Sequence, residues 1–269
     1  MCDKNKINLM TNNTEKSLII AEELKHKFEA LGYTASFDFN ADAVLNICVG
    51  GDGTFLRSVH KTAFSEIPFV GINTGTLGFF QEISVLEIDK FIKNFQLGEY
   101  EIEKLDLLEG IIFSREHKEY KHNSLNEFVI RSQDTSIIHL DVFIDDNHLE
   151  TFAGDALLVS TPSGSTAYNY SAGGAVLYRS LKGYQLTPLA PINSKAYRSL
   201  LNPLVIPSDS VLTIKRRPED DKPTLVINDG LNIVCEDFDS IHVKTSPKWI
   251  NKLQFNNNWY WFNIKDKFI

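Results

Sequence analysis

Cysteine is scarce in this chain of 269 residues: there are three, Cys2, Cys48 and Cys235. An odd number at wide spacing, with two of them inside apolar strand-like runs, excludes a disulfide framework and points to a reducing, cytoplasmic setting. Long apolar runs are missing as well. Nowhere does an uncharged stretch reach the roughly 18 residues that a spanning helix needs. The first residues, Met1 to Lys6, lead only to a short apolar run, so a soluble protein without a membrane partner is expected. Basic residues are outnumbered, with 27 Lys and Arg against 35 Asp and Glu and a net charge of −8. That balance leaves no broad footprint for nucleic acid, and any anionic ligand has to be held locally.

Several chemical signatures are absent too. No G-x-x-x-x-G-K-[ST] occurs, which excludes the ordinary P-loop, and no H-E-x-x-H stands among the seven histidines. His117 and His122 are five residues apart, a spacing that does not stack on one helical face, so a zinc site has no support. Neither Ser163 nor Ser165 has glycines two residues away on both sides, so the nucleophile elbow is missing.

What is present centres on Ile47-Cys48-Val49-Gly50-Gly51-Asp52-Gly53-Thr54-Phe55-Leu56, an apolar strand that breaks into glycines around one acid and restarts as a helix-like segment. Glycines let backbone approach a ligand closely, and an N–H-rich loop before a helix attracts phosphate. A carboxylate in such a turn repels that ligand unless it binds a metal or takes a proton from a reacting hydroxyl. The plainer alternative is that Asp52 N-caps the next helix.

The organisation around this stretch alternates β and α. Strands are expected at Ile7–Met10, Tyr33–Phe37, Val44–Val49 and Pro68–Ile72, with a first helix carrying Ala21, Leu24, Phe28 and Leu31 and ending at Gly32, and a second after Thr54. This implies a parallel sheet covered by helices. A second glycine loop, Asn73 to Phe80, follows the fourth strand, and ligands of open α/β sheets bind outside such carboxyl ends. The next helix opens with Ser84 and Glu87 in capping-box spacing, carries Leu86, Phe91 and Phe95, and stops at Gly98. From about Tyr100 the segments become strand-like, with hairpin turns at Asp145-Asp146-Asn147 and Asp229-Gly230. The patch Arg216 to Lys222 reads as a solvated loop, and the aromatic tail Trp259-Tyr260-Trp261-Phe262 as a segment that must pack back onto the first domain.

The densest polar segment is Ser160-Thr161-Pro162-Ser163-Gly164-Ser165-Thr166-Ala167-Tyr168-Asn169-Tyr170-Ser171-Ala172-Gly173-Gly174, small hydroxyl residues around glycine that suit a nucleotide or form a plain capped loop. On spacing alone, Asn126, Glu127 and Asp155 are surface or turn residues.

Four segments together resemble the NAD kinase family: Gly50-Gly51-Asp52-Gly53-Thr54; Asn73-Thr74-Gly75-Thr76-Leu77-Gly78-Phe79; Asn126-Glu127; and Thr161 to Tyr168 with Ser171-Ala172-Gly173-Gly174. The first is shared with diacylglycerol and sphingosine kinase relatives and the fourth is far more specific. The resemblance implies an α/β, Rossmann-like domain at 1–100, rejoined by 248–269, and a mostly β, β-sandwich-like domain at 101–247, an α+β whole with NAD in the cleft between them. It implies that Asp52 accepts the proton of the 2′-hydroxyl of the adenosine ribose of NAD as that oxygen attacks the γ-phosphate of ATP, or polyphosphate, with Mg2+ and no metal ligand of the protein's own. Gly51, Gly53 and Thr54 would then face phosphate, and Phe79 would lie near the adenine. Asn126 and Glu127 would contact the ribose region, Asp155 the nicotinamide end, and Ser163, Thr166, Ala167, Tyr168, Asn169 and Ser171 the rest of the dinucleotide, with a main-chain contact at Ala190. Ala156 departs from the family's usual glycine, and Ala153 stands where relatives carry a basic residue. A homodimer or homotetramer is also implied. A lipid kinase of the diacylglycerol type, or a catalytically silent dinucleotide sensor, are the rival readings.

Overall fold

Short apolar strands alternating with helices build the first part of the molecule. In the computed structural model, which describes residues 5–75, 78–134, 136–193, 198–217, 223–235, 237–256 and 258–269, the chain divides into two compact units, Met1–Leu105 with Trp249–Ile269, and Asp106–Lys248. The elements of the first are β1 (Lys6–Thr11), α1 (Glu15–Ala30), β2 (Thr34–Ser36), β3 (Leu45–Gly50), α2 (Asp52–Lys61), β4 (Phe69–Asn73), β5 (Ile83–Ser84) and α3 (Ile88–Leu97). Strands pair in parallel in the order β4-β3-β1-β2, with β5 beside β4. Strands β3 and β4 are buried along their whole length, as strands covered by helices on both faces must be. Within β3, burial pushes the Cys48 thiol up to about 12, which makes it a packing residue rather than a nucleophile. Cys2 lies outside the described residues.

Helical period sorts the apolar positions of this unit, with two corrections. Ala21, Leu24 and Phe28 are buried, but Leu31 is the C-cap of α1 and exposed, because the helix has ended at Ala30 and Gly32 turns the chain at φ 83°. The Ser84–Glu87 capping box forms, yet it caps a 3-10 turn, Val85–Glu87, that precedes α3. Leu86 sits in that turn, off the α-helical repeat, and is exposed, whereas Phe91 is buried. Gly98 closes α3 in the left-handed region.

The second unit is mostly β. Its elements are β6 (Glu101–Ser114), which begins in the first unit, β7 (Glu119–Ser124), β8 (Glu127–Ser132), β9 (Ile138–Ile144), β10 (Asn147–Gly154), β11 (Ala156–Ser160), the single-turn α4 (Tyr168–Ser171), β12 (Gly183–Leu189), β13 (Leu204–Pro207), β14 (Leu212–Arg216), β15 (Thr224–Asn228), β16 (Leu231–Cys235) and β17 (Phe238–Gln254). One antiparallel sheet runs β13-β12-β11-β8-β15-β16, and a second joins β10, β9, β14 and β17. Phe128, Ile130, Leu157 and Tyr184 from the first meet Leu140, Val142, Phe152 and Ile241 from the second in one core, a sandwich-like packing. Both expected hairpins turn through two residues at positive φ: Asp145 and Asp146 at 49° and 65°, Asp229 and Gly230 at 49° and 81°. Arg216 is a correction, being buried at the end of β14 rather than solvated, while 218–222 lie outside the described residues.

The chain returns to the first unit at Trp249 and ends in α5 (Trp259–Phe268). Lys252, 1% exposed, places its Nζ 3.3 Å from Glu82 Oε2 and 3.5 Å from Glu103 Oε2. The other Glu82 oxygen accepts the Phe255 N–H at 2.9 Å. The tail thus packs back as expected, but its aromatic run is split. Tyr260 and Asn263 are buried, whereas Trp261 and Phe262 are 58% and 56% exposed, because at about 100° per residue only every third or fourth position faces inward.

Candidate active site

Strand β3 ends at Gly50, Gly51 is the N-cap of α2, and Asp52 is the first helical residue. The helix starts three residues before Phe55, the first position after Thr54, and the simple-cap alternative fails, since Asp52 follows the cap. Its carboxylate turns instead onto the loop after β4: Oδ2 accepts the Phe79 N–H at 2.8 Å and Oδ1 the Phe80 N–H at 2.9 Å. Gly78 makes that wrap possible, because a Cβ there would lie 2.1 Å from Asp52 Oδ1. From the same loop, Gln81 donates through Nε2 to the Gly51 carbonyl at 2.5 Å. Thr76 and Leu77 lie outside the described residues.

Around this carboxylate the first unit leaves backbone uncovered. A Cβ at Gly51 would meet no atom within 4 Å, and one at Gly53 only Arg57 Nη1 at 3.4 Å, so packing does not require these two glycines. Thr54 is buried, its Oγ1 accepting a 3.4 Å contact from Arg57 Nη2. The Phe79 ring is 5% exposed. It stacks on Phe268 at 5.7 Å, lies 6.2 Å from Tyr260, and carries Lys267 Nζ 5.1 Å from its centroid.

In the second unit, Glu127 opens β8 with Asn126 just before it, and both are held by a residue whose sequence context shows only a turn. Asp229 accepts the Ser124 hydroxyl at 2.6 Å and the N–H groups of Leu125, Asn126 and Glu127 at 2.8, 2.7 and 3.1 Å. Its turn conformation, read from Asp229-Gly230, carried no sign of partners a hundred residues away. With the main chain fixed, Asn126 Oδ1 and Glu127 Oε2 are buried without a hydrogen-bond partner among the described residues. Burial, and then the nearby Asp229 charge, push the Glu127 carboxyl from its ordinary 4.5 up to about 8. The folded chain therefore holds this proton more tightly than the unfolded chain does. Its contribution to stability is complete below pH 4.5 and is lost as pH rises through about 8. Glu127→Gln should flatten the decline of melting temperature with pH across that window, measured by thermal unfolding in a buffer series.

The polar segment after β11 is fastened to the same place. The Thr161 N–H and hydroxyl donate to the Asn126 and Leu125 carbonyls at 2.9 and 2.6 Å, and the Gly164 N–H returns to Thr161 Oγ1 at 2.9 Å. Ser163 is buried beside them, Thr166 and Ala167 are partly exposed, and Tyr168 and Ser171 face solvent. Asn169 departs from the expected contact: it is fully buried, with Nδ2 on the Ser165 and Ala175 carbonyls and Oδ1 accepting Thr187 Oγ1, so its amide is committed to the scaffold. Asp155 and Ala190 meet at the opposite end of β11, where the Asp155 N–H donates to the Leu189 carbonyl at 3.0 Å and Ala190 sits at φ 44°. The five residues of β11 set these two places about 17 Å apart. Ala153 and Ala156 are both buried.

The chain matches the ATP-NAD kinase N-terminal domain over residues 3–100 and the ATP-NAD kinase C-terminal domain over residues 125–254. It is 56% identical over 266 residues to the NAD kinase of Finegoldia magna, covering 98% of this chain and 97% of that protein. Its fold is similar to that of yeast NADH kinase complexed with NADH, with a TM-score of 0.84 at 21% identity over 98% of this chain and 87% of the other. A similar fold also occurs in an NAD kinase from Archaeoglobus fulgidus in complex with ATP, with a TM-score of 0.77 at 21% identity over 97% and 98% of the two chains. Two domain matches in tandem and a close relative along nearly the whole length place this chain in the NAD kinase family.

Proposed function

We propose that the chain transfers the γ-phosphate of ATP to the 2′-hydroxyl of the adenosine ribose of NAD, giving NADP. The observation that carries this reading is the Asp52 carboxylate, fixed by two N–H groups at the start of α2 and flanked by glycines that packing does not require. Each of its oxygens accepts one N–H and keeps capacity for a second bond. As the ribose oxygen forms its bond to phosphorus and the bond from phosphorus to the bridging oxygen of ATP breaks, Asp52 takes the hydroxyl proton and ADP leaves. Phosphoryl transfer passes through a loose transition state, so position and charge neutralisation supply most of the catalysis.

Magnesium enters as part of the ATP substrate. Among the described residues no group of three His, Cys, Asp or Glu side chains is gathered to hold an ion alone. Glu127 and Asn126 offer buried acceptors that ribose hydroxyls would satisfy. Asp155 and Ala190, a strand's length from Thr161, suit the far end of an extended ligand. The resemblance also carries cytoplasmic placement and a homodimer or homotetramer into the proposal. No helix among the described residues is long and apolar enough to cross a membrane.

The purified chain, given NAD, ATP and magnesium, should produce NADP, read by an NADP-specific dehydrogenase. No signal at high enzyme concentration would sink the reading, and substituting polyphosphate for ATP identifies the donor.

A further inference from the structure

We propose that Asn263, on α5, is a positioning residue for Asp52. It acts through the peptide group between Gly78 and Phe79, and the inference rests on the catalytic role assigned to Asp52. Asn263 is fully buried in a helix that opens with four aromatic residues, Trp259 to Phe262, and its Nδ2 donates to the Gly78 carbonyl at 3.0 Å. That carbonyl and the Phe79 N–H are the two ends of one planar peptide unit. The N–H end lies 2.8 Å from Asp52 Oδ2. A donor on the carbonyl oxygen polarises the unit and strengthens the bond its N–H gives, so the amide of Asn263 and the carboxylate of Asp52 are joined by one rigid group.

The rest of α5 supports this relay rather than a loose packing role. Phe268, Tyr260 and Lys267 enclose the Phe79 ring, fixing the side chain of the residue whose N–H is used. Just past the loop, Glu82 receives the Phe255 N–H and Lys252, which hold the tail to the same segment from its other end. Gln81 ties that segment back to the Gly51 carbonyl. Among the described residues Asn263 Oδ1 is buried without a hydrogen-bond partner, so the Gly78 carbonyl is the contact that calls for an amide at this position. An apolar residue of the same size would fill the space equally well.

The test is a double-mutant cycle. Asn263→Leu should lower kcat about 10-fold in the wild-type background, with KM for ATP changed less than about twofold. In an Asp52→Asn background the same change should lower kcat by less than about twofold, since there is no longer a carboxylate to position. Hydrogen exchange of the Phe79 amide should quicken in Asn263→Leu. Should that variant fold poorly, Asn263→Asp keeps the shape while losing the donor, and the same three readouts apply. Equal losses in both backgrounds, an unchanged kcat, or an unchanged Phe79 amide would overturn the proposal. A wild-type chain without NAD kinase activity would overturn the function instead, and the Phe79 amide would still report whether Asn263 holds the loop.

Discussion

Asp52→Asn is expected to lower kcat for NADP formation by about 100- to 10,000-fold, the range associated with losing a positioned general base. NAD binding should persist. The substitution keeps shape and removes the group that can take the ribose proton. It also disturbs the loop, because an amide offers one acceptor oxygen where the carboxylate serves both the Phe79 and Phe80 N–H groups. One of those donors then faces the Asn NH2, which costs about 1–3 kcal/mol of stability. Steady-state kinetics and calorimetric binding of NAD separate the two effects. If turnover stays within tenfold of wild type, Asp52 is a loop anchor and not the general base of the reaction.

Gly164→Ala should damage the proposed dinucleotide contacts more than any other single methyl group in the second unit. A Cβ at Gly164 would lie 2.2, 2.5 and 2.6 Å from the O, C and Cα atoms of Asn126, all of them main chain and unable to swing aside. Relief requires the loop after β11 to move away from the start of β8. That strains the bonds from Thr161 to the Leu125 and Asn126 carbonyls and shifts Ser163 and Thr166 relative to Glu127. Overpacking of this kind costs about 1–3 kcal/mol or more. The expected outcome is a KM for NAD raised more than about 10-fold together with a lowered melting temperature. A variant that melts with wild type and keeps its KM would show that the two segments are not fastened as described.

The alternation of strands and helices was legible because each element carries its own period: β3 is a continuous apolar run, and Ala21, Leu24 and Phe28 fall at helical spacing. Errors gathered at element ends. Leu31 and Leu86 belong to a helical pattern on paper but sit just outside the helix that would have buried them. The aromatic tail was read by composition, whereas burial is decided by angle around α5, which exposes Trp261 and Phe262. The glycine turn around Asp52 pointed to a candidate site, since an acid in an N–H-rich turn before a helix demands an explanation. Its supports did not. Gln81, Asn263 and Asp229 act through single hydrogen bonds or a turn conformation across long sequence separations, and no spacing rule marks an amide that will find a carbonyl 185 residues away.

Asp229 also sets an order of events. Its carboxylate is separated from the main-chain donors of residues 125–127 by 102 to 104 positions, and it reaches them from the tip of the β15–β16 hairpin. During synthesis, strands β1 to β4 and their helices can assemble from what has already emerged. The start of β8 cannot take its final form until the ribosome has released a further hundred residues. A partly made chain can thus complete the neighbourhood of Glu127 only after residue 229, and that of Asp52 only after residue 263, so the surroundings of Glu127 can be set before those of Asp52, although Asp52 comes first in the chain.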